Sequence, residues 1–324
     1  MKVLIIGGAG MIGRKLAERL ARDGAVAGKA ISKLTLYDVV PGAAPAAAKM
    51  PVDIATGDLP AAGEAEKLIA DRPDVVFHLA AIVSGEAEQD FDKGYRINMD
   101  GTRGLLESVR KAGHKPRLVF ASSIAVFGAP FPDAIGDEFF NTPLTSYGTQ
   151  KTICELLISD YSRKGFVDGL SIRLPTICVR PGKPNKAASG FFSNIMREPL
   201  AGEEAVLPVS EGVMHWHASP RAAVGFMLHA AGLHLAKVGP RRALTMPGLA
   251  VTVGEQIDAL RKVAGDTVAA RIRRQPDPFI EQIVAGWPRN FAPKRALALG
   301  FAADASFEDI VRHHIEDELG GKIA

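Results

Sequence analysis

The stretch Val3-Leu4-Ile5-Ile6-Gly7-Gly8-Ala9-Gly10-Met11-Ile12-Gly13 decides the architecture. Its apolar run is too short for a helix and ends abruptly in glycine, which reads as a buried strand entering a tight turn. An amphipathic stretch, Met11 to Gly24, follows directly. Glycines at 7, 10 and 13 let the backbone come close to a pyrophosphate, and the first N–H groups of the helix attract its charge. Gly7, Gly10, Met11, Ile12 and Gly13 are therefore candidate cofactor-binding positions. The same spacing would also serve an ordinary strand-to-helix turn, so the weight comes from what surrounds it.

The next β-type run, Leu34-Thr35-Leu36-Tyr37-Asp38, ends in a carboxylate. An aspartate there accepts both hydroxyls of an adenosine ribose and repels a 2′-phosphate, which selects NAD over NADP. No arginine stands beside Asp38 to offset that repulsion. Asp58 and Leu59, in Gly57-Asp58-Leu59, are candidates for the adenine edge, with capping of the following helix an equal alternative for Asp58. Leu79, Ala80 and Ala81 close a further strand and are small enough to let a cofactor pass. His78 in front of them reads as a scaffold residue rather than a catalyst.

Further strands are expected at Val75–Leu79, Leu118–Ala121 and Leu170–Leu174, rich in apolar residues without clean alternation, as in strands buried on both faces. Helices are expected at Met11–Gly24, Gly94–Gly113 and Thr145–Lys164. The sum is an α/β chain, a Rossmann-type doubly wound parallel sheet with a smaller irregular C-terminal substrate lobe. Residues 1–178 and about 214–248 are assigned to the NAD-binding domain, and about 179–213 and 249–324 to the lobe. There the regularity fades among prolines such as Pro175, Pro181, Pro199 and Pro208. Thr252 with Glu255, and Ser306 with Asp309, mark the starts of two later helices, Val253–Ala264 and Ser306–Leu319.

Composition narrows the class. The 324 residues are 47% hydrophobic and 23% charged, with a net charge of +3, too small to signal nucleic-acid binding. No apolar run is long enough to span a membrane, and a soluble, cytoplasmic protein is expected. The two cysteines, Cys154 in a predicted helix and Cys178 in a predicted strand, read as small core residues. No spacing suggests a metal site.

Tyr147-Gly148-Thr149-Gln150-Lys151 places a phenol and an ammonium one helical turn apart. A tyrosine ordinarily titrates near pH 10, about three units too high for a base at neutrality. A neighbouring ammonium favours the phenolate, so Tyr147 can take an alcohol proton while hydride leaves the same carbon. Lys151 can also hold the nicotinamide ribose. Such a pair alone is common on helices. Ser122-Ser123, just after the strand Leu118–Ala121, makes it specific, because a hydroxyl there can hold the substrate oxygen. The alternative for Ser123 is a hydroxyl that satisfies the strand end.

With these residues in order, the chain resembles the extended short-chain dehydrogenase/reductase family over nearly its whole length. The matching pieces are Gly7 to Gly13, Asp38, Gly57 to Leu59, His78 to Ala81, Asn98 to Thr102, Ser122 to Gly128, Tyr147 to Lys151 and Arg173 to Pro175. The resemblance implies that Ser123, Tyr147 and Lys151 are catalytic and that Asn98 supports the site. It also implies that Pro175 and Ile177 line the nicotinamide and that the protein is a homodimer.

Members of this family that dehydrate sugar nucleotides carry an acidic pair after the catalytic hydroxyl residue, where this chain has Ile124 and Ala125. Their epimerase relatives carry an Arg-Asp-aromatic stretch where this chain has Val213-Met214-His215-Trp216-His217, which puts a nucleotide-diphosphate substrate in doubt. The segments His78 to Glu88 and Ser306 to Arg312 resemble the group of dehydrogenases that convert D-erythronate to its 2-oxo acid. A small sugar acid needs a carboxylate partner, for which Arg180, Arg197 and Arg221 are candidates, each more readily read as a surface or structural arginine. Ser84, Ser123 and Trp216 are further substrate candidates, and for Trp216 a core role is as good a reading. Two alternatives stay open: a nucleotide-sugar epimerase with tightly bound NAD, and an NAD(H)-binding sensor without turnover.

Overall fold

The computed structural model describes residues 1–182 and 189–324. In chain order the elements that matter are β1 (Lys2–Ile6), α1 (Met11–Asp23), β2 (Lys33–Asp38), β3 (Val52–Thr56), α2 (Glu64–Ala70), β4 (Val75–His78) and α3 (Ser84–Gln89). Next come α4 (Gly101–Ala112), β5 (Arg117–Ser123), α5 (Ser146–Arg163), β6 (Asp168–Leu174), β7 (Thr176–Ile177), α6 (Gly190–Leu200) and β8 (Met214–Ala218). The rest are α7 (Pro220–Gly232), β9 (Ala243–Thr245), β10 (Leu249–Thr252), α8 (Val253–Ala264) and α9 (Phe307–Leu319).

The chain forms two compact units. The first comprises Met1–Val126, Pro143–Leu174 and Val224–Thr245, and the second Phe127–Thr142, Pro175–Ala223 and Met246–Ala324. The first unit is built on a seven-stranded sheet in the order β9-β6-β5-β4-β1-β2-β3, with every pairing parallel. The order reverses at β1, and there the carboxyl ends of neighbouring strands open a crevice for ligands. Leu4, Ile6, Val76, Leu118 and Phe120 from three adjacent strands are all buried with Leu105, Leu106 and Ile158 of α4 and α5. That is why those strands read as unbroken apolar runs.

Helix ends follow local chemistry. Gly24 and Gly113, both left-handed, close α1 and α4. The side chain of Thr145 accepts from Gly148 N at 3.1 Å to open α5. The single helix expected over 94–113 is interrupted. A widened π-helical turn, Tyr95–Asp100, precedes α4. It brings the Asn98 carbonyl within reach of the Thr102 hydroxyl at 2.9 Å and the Cys154 thiol at 3.3 Å. Insertions of this kind recur at functional sites.

The second unit has its own core, with Phe191, Phe192, Ile195 and Met196 of α6 beside Ile257 and Leu260 of α8 and Ile310 and Val311 of α9. A small sheet in the order β7-β8-β10 accompanies them. Residues 214–223 join this unit through the antiparallel β8–β10 pairing, a stretch the sequence reading grouped with the nucleotide domain. The Thr252–Glu255 capping box is complete. Ser306 accepts from Asp309 N at 3.1 Å to start α9. Cys178 lies one residue past β7 rather than in a strand, and both cysteines are buried thiols.

Candidate active site

The glycine turn is a cradle. Gly7 has φ +93°, and a Cβ there would stand 2.7 Å from Ala80 N; one on Gly13 would stand 2.0 Å from Gly7 O. Only hydrogen in place of a side chain allows both approaches. Gly10 precedes α1 without a side-chain cap, and the first turn of that helix holds no acidic residue. Its N–H groups and dipole thus face outward with no protein anion attached.

Asp38 ends β2 beside this turn. Its Oδ2 accepts from Ala9 N at 2.9 Å, and its Oδ1 from Val39 N at 2.7 Å. The carboxylate therefore holds the glycine turn in place and keeps acceptor capacity for a ribose diol. The cradle and this carboxylate fit a dinucleotide whose pyrophosphate sits on α1. Asp58 does not cap the next helix, since α2 begins at Glu64 after Gly63. It pairs instead with Arg96 at 2.6 Å. Leu59 is buried in the core. Leu79 and Ala80 each donate a backbone N–H to Ile6 O, at 2.8 and 3.0 Å, fixing the small residues alongside Gly7.

The side chains expected from sequence to carry the chemistry lie at the carboxyl end of the same sheet. Ser123 is the last residue of β5, and its Oγ accepts from Ala125 N at 3.1 Å. Tyr147 is in the first turn of α5, half-buried, and Lys151 follows one turn later, 2% exposed. The Lys151 ammonium donates to Ala121 O at 2.8 Å and lies 4.5 Å from the centre of the Phe120 ring and 5.6 Å from that of Tyr147. Burial pushes it down to about 8, opposed by the fields of the Cys154 sulfur and, after it, the Glu155 carboxylate. Gly148 sets the approach: a Cβ there would stand 2.1 Å from Ala125 O. The helix that carries Tyr147 thus meets the turn after Ser123 backbone to backbone.

Behind these groups is a polar frame built on Asn98 and His78, in which the sequence reading gave Gln150, Thr102 and Glu88 no role. Asn98 Nδ2 donates to Gln150 Oε1 at 2.8 Å, and Asn98 Oδ1 accepts from Ile82 N at 2.9 Å. Asn98 thereby ties the loop after Ala81 to the residue beside Lys151. His78 Nε2 meets Thr102 Oγ1 at 2.9 Å. Since that hydroxyl donates to Asn98 O, the imidazole must be the donor in this bond. Burial lowers His78 to about 3, so it is a neutral scaffold residue. Glu88 of α3 accepts from Ser146 N at 2.9 Å and so anchors the start of α5. Ser84 opens α3.

The remaining candidates belong to the second unit. Pro175 and Ile177 are buried, and Ile177 pairs with Ala218. Trp216 is 6% exposed, donates to Met246 O at 3.2 Å and packs on Phe291, as a core residue of that unit does. Arg197 is held by Glu198 and by Asn194 at 2.9 Å. Arg221 is held by Asp317 at 2.5 Å and Glu316 at 2.8 Å. Arg180 donates to two neutral oxygens, Ile177 O at 3.1 Å and Ser189 Oγ at 3.0 Å.

His215 and His217 point into the core. His215 Nδ1 lies 2.9 Å from Pro288 O and Nε2 2.7 Å from Thr176 Oγ1, with its ring stacked on Phe192. Burial lowers His215 to about 4 and His217 well below the usual imidazole range. Among the described residues no group of three His, Cys, Asp or Glu is placed to hold a metal. No described helix is long and apolar enough to cross a membrane.

The chain was compared with known proteins. A family model described as the NAD dependent epimerase/dehydratase family matches residues 3–216. D-erythronate dehydrogenase of Cupriavidus necator is 48% identical over 321 residues, spanning 98% of each chain. D-erythronate dehydrogenase of Haemophilus influenzae is 45% identical over 325 residues, spanning 98% of this chain and 100% of its own. A crystal structure from Agrobacterium tumefaciens, described as a nucleoside-diphosphate-sugar epimerase, superposes with a TM-score of 0.98 at 64% identity. That match covers 100% of this chain and 96% of the other.

Proposed function

The chain belongs to the NAD dependent epimerase/dehydratase family, and on that premise we propose that it is an NAD-dependent dehydrogenase of a small sugar acid. Its substrate is D-erythronate, oxidised at the secondary alcohol beside the carboxylate to give the 2-oxo acid. The observation that carries the substrate is identity of 45–48% to two D-erythronate dehydrogenases along almost the entire chain. In this reading the first unit holds NAD, with Gly7, Gly10, Met11, Ile12 and Gly13 at the pyrophosphate and Asp38 at the ribose. Asp58, Leu59, Leu79, Ala80, Ala81, Asn98, Pro175 and Ile177 complete the cofactor set.

The chemistry divides among three side chains. Ser123 Oγ holds the substrate oxygen at the strand end. Tyr147 takes the alcohol proton, and the Lys151 ammonium stabilises the phenolate that does so. One N–H of that ammonium is committed to Ala121 O, which fixes its position while the others serve Tyr147 and the cofactor ribose. NAD, when bound, supplies the hydride acceptor. Arg180 is the residue proposed for the substrate carboxylate, with Arg197 and Arg221 the other candidates. Ser84 and Trp216 remain secondary candidates for substrate contact.

Mixing the protein with NAD and a panel of sugar acids that includes D-erythronate, and following NADH by absorbance, tests the reading. Steady NADH formation with D-erythronate is the expected result. The 64% identical structure described as a nucleoside-diphosphate-sugar epimerase favours a second reading. In that case no acid yields NADH and a nucleotide sugar is interconverted without net reduction of the cofactor. We further take the enzyme to be a cytoplasmic homodimer. Sedimentation of the intact protein checks the dimer.

A further inference from the structure

Tyr147, Lys151 and Glu155 recur at one-turn intervals along α5, so they share a face of the helix. Glu155 is 2% exposed. Its Oε1 accepts from Ser122 Oγ at 2.5 Å, and Arg173 reaches both its oxygens, Nε at 3.0 Å from Oε1 and Nη2 at 2.8 Å from Oε2. Ser122 and Arg173 are register partners on β5 and β6, one step before Ser123 and Leu174. Side chains alternate along a strand. Ser122 is turned into the core, and one position later the strand presents Ser123.

A buried ion pair contributes little to stability for its own sake, because two desolvated charges offset their mutual attraction. Lys151 and Glu155 are buried here, and Arg173 is partly buried against Glu155. The groups facing Lys151 can be named from each element around it. From α5 they are the Tyr147 ring, the Cys154 thiol, kept neutral by burial, and Glu155. From β5 they are the Phe120 ring and the Ala121 carbonyl, and from β4 the neutral His78. Arg173 of β6 acts through Glu155. Glu155 is the one carboxylate in that set.

We propose that Glu155, held by Ser122 and Arg173, is a positioning residue for proton transfer: it locks the strand end bearing Ser123 to the helix bearing Tyr147 and supplies the counter-charge that keeps Lys151 an ammonium. Arg173 restrains the same carboxylate, whose field reaches Lys151. The proposal rests on the dehydrogenase reading only in its kinetic arm.

The test uses intact protein labelled with 13C-lysine, in which Lys151 is assigned by the signal lost in Lys151→Met and titrated by NMR. Wild type should titrate near 8. Glu155→Gln should bring that midpoint down by about one pH unit, and the alkaline limb of D-erythronate oxidation should fall with it. Ser122→Ala removes one hydrogen bond and keeps every charge. It should lower kcat several-fold, by about one hydrogen bond's worth, and leave both the KM for NAD and the Lys151 midpoint where they were.

An unmoved midpoint in Glu155→Gln overturns the counter-charge role, and so does an equal shift in Ser122→Ala. If Glu155→Gln does not melt cooperatively, Glu155→Asp takes its place. The wild-type midpoint with reduced kcat then supports the proposal, and a shift of a full unit overturns it. A wild-type protein whose Lys151 titrates as expected, but which yields no NADH from any acid, defeats the dehydrogenase reading and leaves this one standing.

Discussion

Both units bury titratable side chains, and a lysine of the first can be set against two histidines of the second. In the first, burial lowers Lys151 to about 8, and its ammonium donates to the Ala121 carbonyl beside the Phe120 ring. In the second, His215 and His217 are driven neutral by burial and are used as hydrogen-bonding spacers. A buried charge is costly and is kept where chemistry requires a proton to be held or moved. A buried neutral imidazole costs much less and serves architecture. The comparison separates the reacting groups from the framework without reference to motifs.

The largest effect expected from that contrast belongs to Tyr147. Tyr147→Phe should lower turnover by roughly 10²- to 10⁴-fold with NAD affinity retained, as read from NADH formation and a cofactor titration. Turnover near wild type would break the comparison at its centre, since the charged cluster would then hold no proton that matters. Asp38→Ala comes next. It should weaken NAD by about ten- to a hundredfold, through loss of charge-assisted hydrogen bonds, and NADP by much less. Equal losses for both cofactors would remove Asp38 from the ribose.

His215→Phe probes the neutral side. It leaves Thr176 Oγ1 and Pro288 O without their partner and should cost about 1–3 kcal/mol of stability. The pH dependence has a definite sign. The folded-state pKa of His215 is depressed to about 4 from 6.5. As pH falls below 6.5 the unfolded chain therefore takes up the proton first. Stability is lost at roughly 1.4 kcal/mol per pH unit for one such group until the folded pKa is reached. Thermal melts of wild type should show that loss, and His215→Phe should flatten its share of it. A mutant as acid-sensitive as wild type would mean that other groups set the slope.

The smallest effect belongs to Arg221. It is partly exposed and pinned by Asp317 and Glu316, so Arg221→Gln should change stability by less than about 1 kcal/mol and leave the KM for the acid unchanged. A tenfold rise in KM would move the carboxylate contact from Arg180 to Arg221.

What could be read from sequence alone divides along physical lines. Gly7, Gly13 and Asp38 were legible because a tight turn and a strand-end carboxylate leave local traces, and Tyr147 with Lys151 because a helix repeats at fixed intervals. β3 escaped notice because Val52-Asp53-Ile54-Ala55-Thr56 is an edge strand, partly exposed and half polar. Gln150, Thr102, Glu155 and Arg173 left no local mark as site residues. Their roles depend on partners brought together by the parallel sheet, as when Arg173 meets Glu155 from another element. The arginines of the second unit stayed ambiguous until their acceptors were known.

Gly148 carries a consequence for how such an enzyme diversifies. The spacing between the turn after Ser123 and the helix bearing Tyr147 is set by main chain against main chain, with no side chain to trim or enlarge. Ordinary point mutation therefore has no graded way to retune it: any residue larger than glycine forces the two segments apart at once. The proton-transfer apparatus is inherited as an indivisible module. A lineage that takes up a new substrate must explore variants elsewhere in the chain while this junction stays constant.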